Sequence, residues 1–213
     1  MSNDMTRTHF NILLCTLALS TFLASCRPPR AATTKAMGGL SSIVIEPRSA
    51  WQAAEPRPYK SQTPVRITIH HEGTRLELTA DAAAKIHAIQ KWGMGLDRNW
   101  ADIPYHFLIA PNGTIYEGRN VMTAGETATE YDPSGHLLIT CLGNLEVQEL
   151  PAAQLASLVR LTAWCSRKYK IPLSTLSGHR DNSSQTTSPG KNLYAYLQNG
   201  YIRREAEALL VQQ

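Results

Sequence analysis

The sequence lacks most of the signals that would settle its class at once. Only 18% of its 213 residues are charged, and the formal net charge is +4. No Lys/Arg cluster with interleaved aromatics occurs, which argues against a nucleic-acid partner. The mild positive balance suits an anionic partner without demanding one. There are four cysteines but no Cys-x-x-Cys, no glycine-rich phosphate loop and no Gly-x-Ser-x-Gly elbow. A redox pair, a nucleotide cradle and an α/β-hydrolase nucleophile are therefore not signalled. Internal repeats and low-complexity tracts are missing. What remains is ordinary: 43% hydrophobic residues over a length that builds one sizeable domain with a real core.

The longest apolar run, Phe10 to Leu23, follows Arg7 and His9. It is too short to span a bilayer and suits the hydrophobic part of a signal peptide. It ends in Leu23-Ala24-Ser25-Cys26, which resembles the bacterial lipobox, whose cysteine is lipidated after cleavage; an ordinary signal peptide with an incidental cysteine is the alternative. Arg27, rather than Asp, at the next position resembles the sorting pattern of the Gram-negative outer membrane. The expected organisation is a lipoprotein signal peptide over 1–25, a Pro/Ala/Thr/Gly-rich tether over 26–42, and a folded domain over 43–212. Cys141 and Cys165 remain, as a disulfide in an exported protein or as two buried thiols.

Within the domain, Val65 to Ile69 reads as an apolar strand ending in His70-His71. Thr79 and Asp81 offer N-caps for a helix from Ala82 to Trp92 that Gly93 ends. Tyr105 to Ala110 is a strand, and Pro111-Asn112-Gly113 turns it into Thr114 to Glu117. His136 to Leu142 is a strongly apolar, central strand. Pro151 opens a long helix to about Lys168, with Leu155, Leu158, Val159, Thr162 and Cys165 on one face. A last helix, about Leu193 to Leu210, is kinked or broken at Gly200. Strands alternating with helices predict a single α/β domain with a central mixed β-sheet flanked by helices.

The chemistry concentrates in Gly178-His179-Arg180-Asp181, which runs on to Thr186-Thr187-Ser188-Pro189-Gly190. A histidine and a second donor across a short loop present two metal ligands from one segment, and His70-His71 is the natural source of a third. Neighbours on a strand point to opposite faces, so one of His70 and His71 faces the site and the other orients or packs. The same alternation separates Tyr105 from His106. His87 reads as a surface residue, and His136 either lies near the site or caps the sheet edge. Zinc takes N, S or O donors in a roughly tetrahedral set, lowers the pKa of a bound water to about 7, and leaves oxyanion support to a neighbouring donor such as Tyr105.

These residues carry a resemblance. Pro47-Arg48-Ser49-Ala50-Trp51-Gln52-Ala53, Ile69-His70-His71, Trp100 to Ile109 with Asn112 to Arg119, and Gly178-His179-Arg180 with Thr186-x-Ser188-Pro189-Gly190 resemble the zinc-dependent N-acetylmuramoyl-L-alanine amidases that include the peptidoglycan recognition proteins. The resemblance implies an amidase-like fold and hydrolysis of the amide between N-acetylmuramic acid and L-alanine in peptidoglycan. It implies Zn2+ on His70, His179 and the Ser188 position. Tyr105 and Thr186 take catalytic roles, and Glu126, His71 and Arg180 substrate contacts. Peptidoglycan is the partner, with the membrane reached through lipid on Cys26, and a monomer is expected.

Two positions depart from the family pattern. Ser188 stands where Cys or Asp is usual, a loss of about two decades in zinc affinity if the sites share ~10–16 kcal/mol evenly; Asp181 or a water is the substitute. The alternative function is a peptidoglycan-binding module without turnover. Glu126 stands where relatives often place a histidine, as a substrate contact, a replacement acid or a solvated loop residue.

Overall fold

The computed structural model describes residues 43–212; the signal, tether and Cys26 expectations lie outside them. Five strands form one sheet: β1 (Arg66–His71), β2 (Phe107–Ile109), β3 (Ile115–Glu117), β4 (His136–Cys141) and β5 (Ser177–Gly178), in the order β3-β2-β4-β1-β5. β2, β4, β1 and β5 run parallel and β3 is antiparallel to β2. The sheet is mixed, as expected.

Alternation along the strands sorts the two faces. Ile67, Ile69, Phe107, Ile109, Leu137, Ile139 and Cys141 join the larger core cluster. Helix α2 (Ala152–Tyr169) supplies Leu158, Val159, Leu161 and Cys165 to it. On the other face, Leu108 packs with Ile86 and Ile89 of α1 (Ala82–Gly93) and with Trp51. That face also carries the buried Thr68, His70 and Thr140. A parallel sheet covered on both faces needs apolar residues in consecutive positions, which is why β4 is buried throughout.

The caps follow the local chemistry. Asp81 takes the Ala84 N–H at 3.0 Å, so it and not Thr79 caps α1. Asn112 accepts from Thr114 N–H, and Gly113 at φ +89° closes the hairpin. The expected last helix is two helices, α3 (Lys191–Gln198) and α4 (Tyr201–Val211), because Gly200 sits at φ +72° between them. The strand expected over Tyr105–Ala110 is only Phe107–Ile109, and Tyr105 precedes it. Cys141 and Cys165 are both free and buried. Among the described residues no helix is long and apolar enough to cross a membrane.

Candidate functional site

The site forms where β1 and β5 end. Their parallel register pairs Ile69 with Gly178, so the next residues, His70 and His179, emerge side by side. Their ring centroids are 4.3 Å apart. The Tyr105 ring lies 5.4 Å from that of His70. Around this group opens a cleft of about 570 Å³, lined in part by His70, His71, Tyr105, His179, Thr186 and Ser188. That volume suits a small ligand. The position at the C-terminal ends of parallel strands is where α/β sheets commonly bind ligands.

Burial, reinforced by the charge of His179, holds His70 well below the ordinary imidazole range. Burial lowers His179 to about 4, with Glu130 opposing. Both rings are therefore neutral near pH 7. His179 Nε2 shares a 2.9 Å hydrogen bond with Thr129 Oγ1, whereas His70 Nε2 is buried without a partner. Burial raises the Tyr105 phenol well above its usual range, so it remains an O–H donor.

His71, the last residue of β1, also lines the cleft. The alternation argument placed it on the opposite face, but at the strand's end the rule relaxes. Its Nδ1 accepts from Leu145 N–H at 3.1 Å, and its own backbone N–H donates to Ser188 Oγ at 3.1 Å. Ser188 is buried and tied on each side: its N–H donates to Thr186 Oγ1 and its carbonyl accepts from Arg180 N–H.

The remaining histidines sort out. His106 is fully buried; its Nδ1 accepts from Leu138 N–H and its Nε2 donates to the Thr123 carbonyl. It is a fixed ring, lowered to about 4 first by burial, and is not part of the cleft lining. His136 shares a hydrogen bond with Thr68 Oγ1 and packs on Tyr131. His87 is half-buried, with Nδ1 2.9 Å from the Gln52 carbonyl oxygen.

Three expectations change. Glu126 is not a solvated loop residue: it is 9% exposed, ion-paired with Arg119, and accepts from Ala101 N–H at 2.8 Å. It lines the cleft, but its carboxylate is committed. Arg180 stacks over the Tyr194 ring at 4.8 Å and is not among the cleft-lining residues. Asp181 accepts from Gly178 N–H and Tyr194 O–H, which turns it toward α3 and away from the third-donor position.

Sequence reasoning missed the frame behind Tyr105. Arg119 donates from Nε to the Ile103 carbonyl at 2.8 Å, from Nη1 to Ala124 at 2.6 Å and from Nη2 to Asp102 at 3.0 Å. Arg48 pairs with Asp102 and also reaches the Gly118 carbonyl. Gln90 donates to Asp102 at 2.6 Å. The motif stretches Pro47 to Ala53, Trp100 to Ile109 and Asn112 to Arg119 contain most of these residues, but nothing in them shows that the side chains join.

Zinc is the ion the resemblance implies. Two neutral imidazoles side by side, one with an orphaned buried nitrogen, suit two of its ligands. The third position does not: Ser188 offers a neutral oxygen already accepting a backbone N–H, and Asp181 is turned away. Among the described residues no three His, Cys, Asp or Glu side chains come together as a metal group. The donor set does not fit a catalytic zinc centre with three protein ligands.

Residues 60–191 match the Amidase_2 family, N-acetylmuramoyl-L-alanine amidase. The chain is 32% identical over 172 residues to peptidoglycan recognition protein 1 of Mus musculus, covering 78% of this chain and 92% of that one. It is 31% identical over 159 residues to the Bos taurus protein of the same name, covering 72% and 82%. Among solved structures, peptidoglycan recognition protein-LE in complex with tracheal cytotoxin, a monomeric diaminopimelic acid-type peptidoglycan, aligns with TM-score 0.65 at 31% identity, covering 73% and 92%. The endolysin N-acetylmuramoyl-L-alanine amidase LysCS from Clostridium intestinale aligns with TM-score 0.57 at 27% identity, covering 70% and 88%. With this match over most of the folded region, the chain belongs to the N-acetylmuramoyl-L-alanine amidase (Amidase_2) family.

Proposed function

We propose that the cleft binds the junction between N-acetylmuramic acid and L-alanine in peptidoglycan, and that the protein acts chiefly as a muropeptide-recognition module. The observation that carries this reading is the third-donor position. Ser188 holds the geometry of the motif but supplies no charge, and one of its two lone pairs already accepts the His71 N–H. What the site does supply is hydrogen-bonding groups: the Tyr105 hydroxyl, the buried, unpartnered His70 Nε2, and the half-buried Thr186 and Thr129 hydroxyls. Such groups reward a ligand that matches them, because an unmatched buried donor or acceptor costs ~1–3 kcal/mol.

Hydrolysis of the muramyl–L-alanine amide is the second reading. The family description and the retained Tyr105 favour it, as does the paired histidine arrangement. Exported placement completes the proposal: Cys26 carries lipid and anchors the domain, facing the periplasm at the outer membrane, with the 26–42 segment as tether.

The test is calorimetric binding of a purified muropeptide, alongside digestion of sacculi with and without zinc, for the native chain and Ser188→Cys. Recognition predicts binding that survives chelation and no release of stem peptides. The cysteine variant should bind zinc about two decades more tightly. Stem-peptide release by the native chain at controlled zinc would favour the second reading. Absence of both binding and release would discard the peptidoglycan assignment.

A further inference from the structure

The helical layer behind the cleft differs in charge from the rest of the domain. Over residues 152–212, Lys and Arg outnumber Asp and Glu eight to three, whereas over 43–151 they are outnumbered thirteen to nine. No carboxylate side chain occurs between Glu149 and Asp181. Helix α2 lies wholly inside that interval and holds Arg160, Arg167 and Lys168, with Lys170 at its C-cap.

The helix gathers these residues. Arg160, Trp164, Arg167 and Lys168 recur at i, i+4, i+7 and i+8, the spacing of one face. Leu158, Leu161 and Cys165 on the opposite face are buried in the core. Lys168 Nζ lies 4.3 Å from the Trp164 ring centroid and 5.5 Å from that of Tyr169. Arg167, Lys168 and Lys170 are exposed, and Arg160, Trp164 and Tyr169 are half-buried. Among the described residues neither Lys168 nor Lys170 forms an ion pair. Along the sequence this is a short run, Arg167 to Lys170; folding adds Arg160 and Trp164 to it. Cations in the last turn of a helix suit its dipole, which accounts for Arg167 and Lys168. It does not account for Arg160 two turns earlier, whose Nε is buried without a partner, or for the missing carboxylates.

We infer that the outer face of α2, extended by Lys170, rests on an anionic phospholipid surface with the cleft turned away from it. A basic helix face edged by aromatic rings suits the headgroup region of an acidic bilayer. A flat surface touches one layer of the domain, so it attracts this layer and repels the acidic remainder. A polyanion that wraps the domain would meet both. His70 and Thr140 lie on the sheet face opposite α2, with the core that α1 covers, so the cleft stays open to a polymer on the far side. The described chain also begins on the α2 side, where Ile43 and Ile45 pack against the cluster beneath that helix. The inference rests on the exported placement proposed above and not on what the cleft binds. A few such charges orient a tethered domain; at physiological salt they do not hold a free one in the membrane fraction.

The experiment uses the chain from residue 26 with Cys26→Ser, which keeps the whole folded domain but neither signal segment nor acyl chain. It is mixed at low salt with vesicles of phosphatidylcholine, with or without phosphatidylglycerol, and sedimentation reports binding. Binding should need phosphatidylglycerol and fall as salt is added. Lys168→Gln and Lys170→Gln should each weaken it about fivefold, and Lys168→Arg should preserve it. Lys91→Gln, which removes the same charge from α1, should change it little. Equal binding to both vesicles would remove the headgroup from the account, and equal loss from Lys91→Gln would remove the face; either overturns the inference. So would tighter binding of a duplex oligonucleotide or of sacculi through the same two lysines, which would make the partner a polymer. Muropeptide affinity of the lysine variants should match that of the unsubstituted chain. Vesicle binding without any muropeptide binding discards the peptidoglycan reading alone. A lipidated native protein found in membranes, with no vesicle binding by the Cys26→Ser chain, keeps the anchor and sinks this surface.

Discussion

Arg119→Met removes the cation on which the back wall of the cleft depends. The guanidinium is 1% exposed and its partner Glu126 is 9% exposed. Methionine approximates the length of the side chain, so the loss is one of charge and hydrogen bonds more than of volume. Four acceptors lose their donor: the Glu126 carboxylate and the carbonyls of Asp102, Ile103 and Ala124. The carboxylate dominates, because a buried charge whose partner is removed costs about 3–5 kcal/mol. Ala101 N–H still donates to it, and the adjoining pocket bordered by Arg119 and Asp102 can hydrate some of the carbonyls. Both facts place the expectation at the lower end, about 3 kcal/mol, or a fall in Tm of roughly 6–12 °C for a domain of this size. Urea unfolding followed by circular dichroism measures it. The double variant Arg119→Met/Glu126→Gln should recover part of the loss, since the stranded charge has gone. A single-variant loss below 1 kcal/mol, or a double variant as unstable as the sum of the two singles, would refute the account.

The other predictions are more local. His106 and His136 are each lowered to about 4, first by burial; relative to an unfolded value near 6.5 the unfolded chain then binds more protons between those limits. Stability should be insensitive to these two rings above about pH 6.5 and fall as pH drops from there toward 4, by up to roughly 2.5 kcal/mol per pH unit; a flat urea midpoint from pH 7 to 4.5 would contradict it. Gly118→Ala should destabilise by about 1–3 kcal/mol and weaken ligand binding, because the new Cβ would stand 2.3 Å from the Tyr105 carbonyl oxygen; unchanged stability would show that the close approach is not needed. Cys26→Ser should release the protein from the membrane fraction, and retention there would count against the lipid anchor.

Much of the fold was legible because the local signals agree with one another. The apolar run of β4, the cap at Asp81, the turn at Asn112-Gly113 and the break at Gly200 each rest on residues within a few positions, where pattern and backbone preference suffice. The His70–His179 pair was legible as a motif, although only the register of Ile69 with Gly178 explains why the rings meet. Long-range commitments were hidden. Nothing local shows that Arg48 will bind Asp102, 54 residues away, or that Glu126 will turn inward to Arg119. Arg180 and Asp181 were misplaced for the same reason. Both polar groups beside the motif were free to turn either way, and Tyr194 on α3 decided it.

Ser188 is the position at which the recognition reading separates family membership from activity. Its backbone is held by Thr186 and Arg180, and its Oγ by the N–H of His71. A thiolate could accept that N–H equally well, so the exchange of sulfur for oxygen alters little of what the fold needs. Charge is what changes. Two neutral imidazoles and a hydroxyl can shape a pocket and hydrogen-bond a ligand, but they bring no anion to hold a divalent ion firmly. The framework from Arg48 through Asp102 and Arg119 to Glu126 is indifferent to that loss, since it neither touches Ser188 nor depends on a metal. The cleft therefore keeps its form whether or not it catalyses, and on the recognition reading the same scaffold would serve with one atom's difference in chemistry.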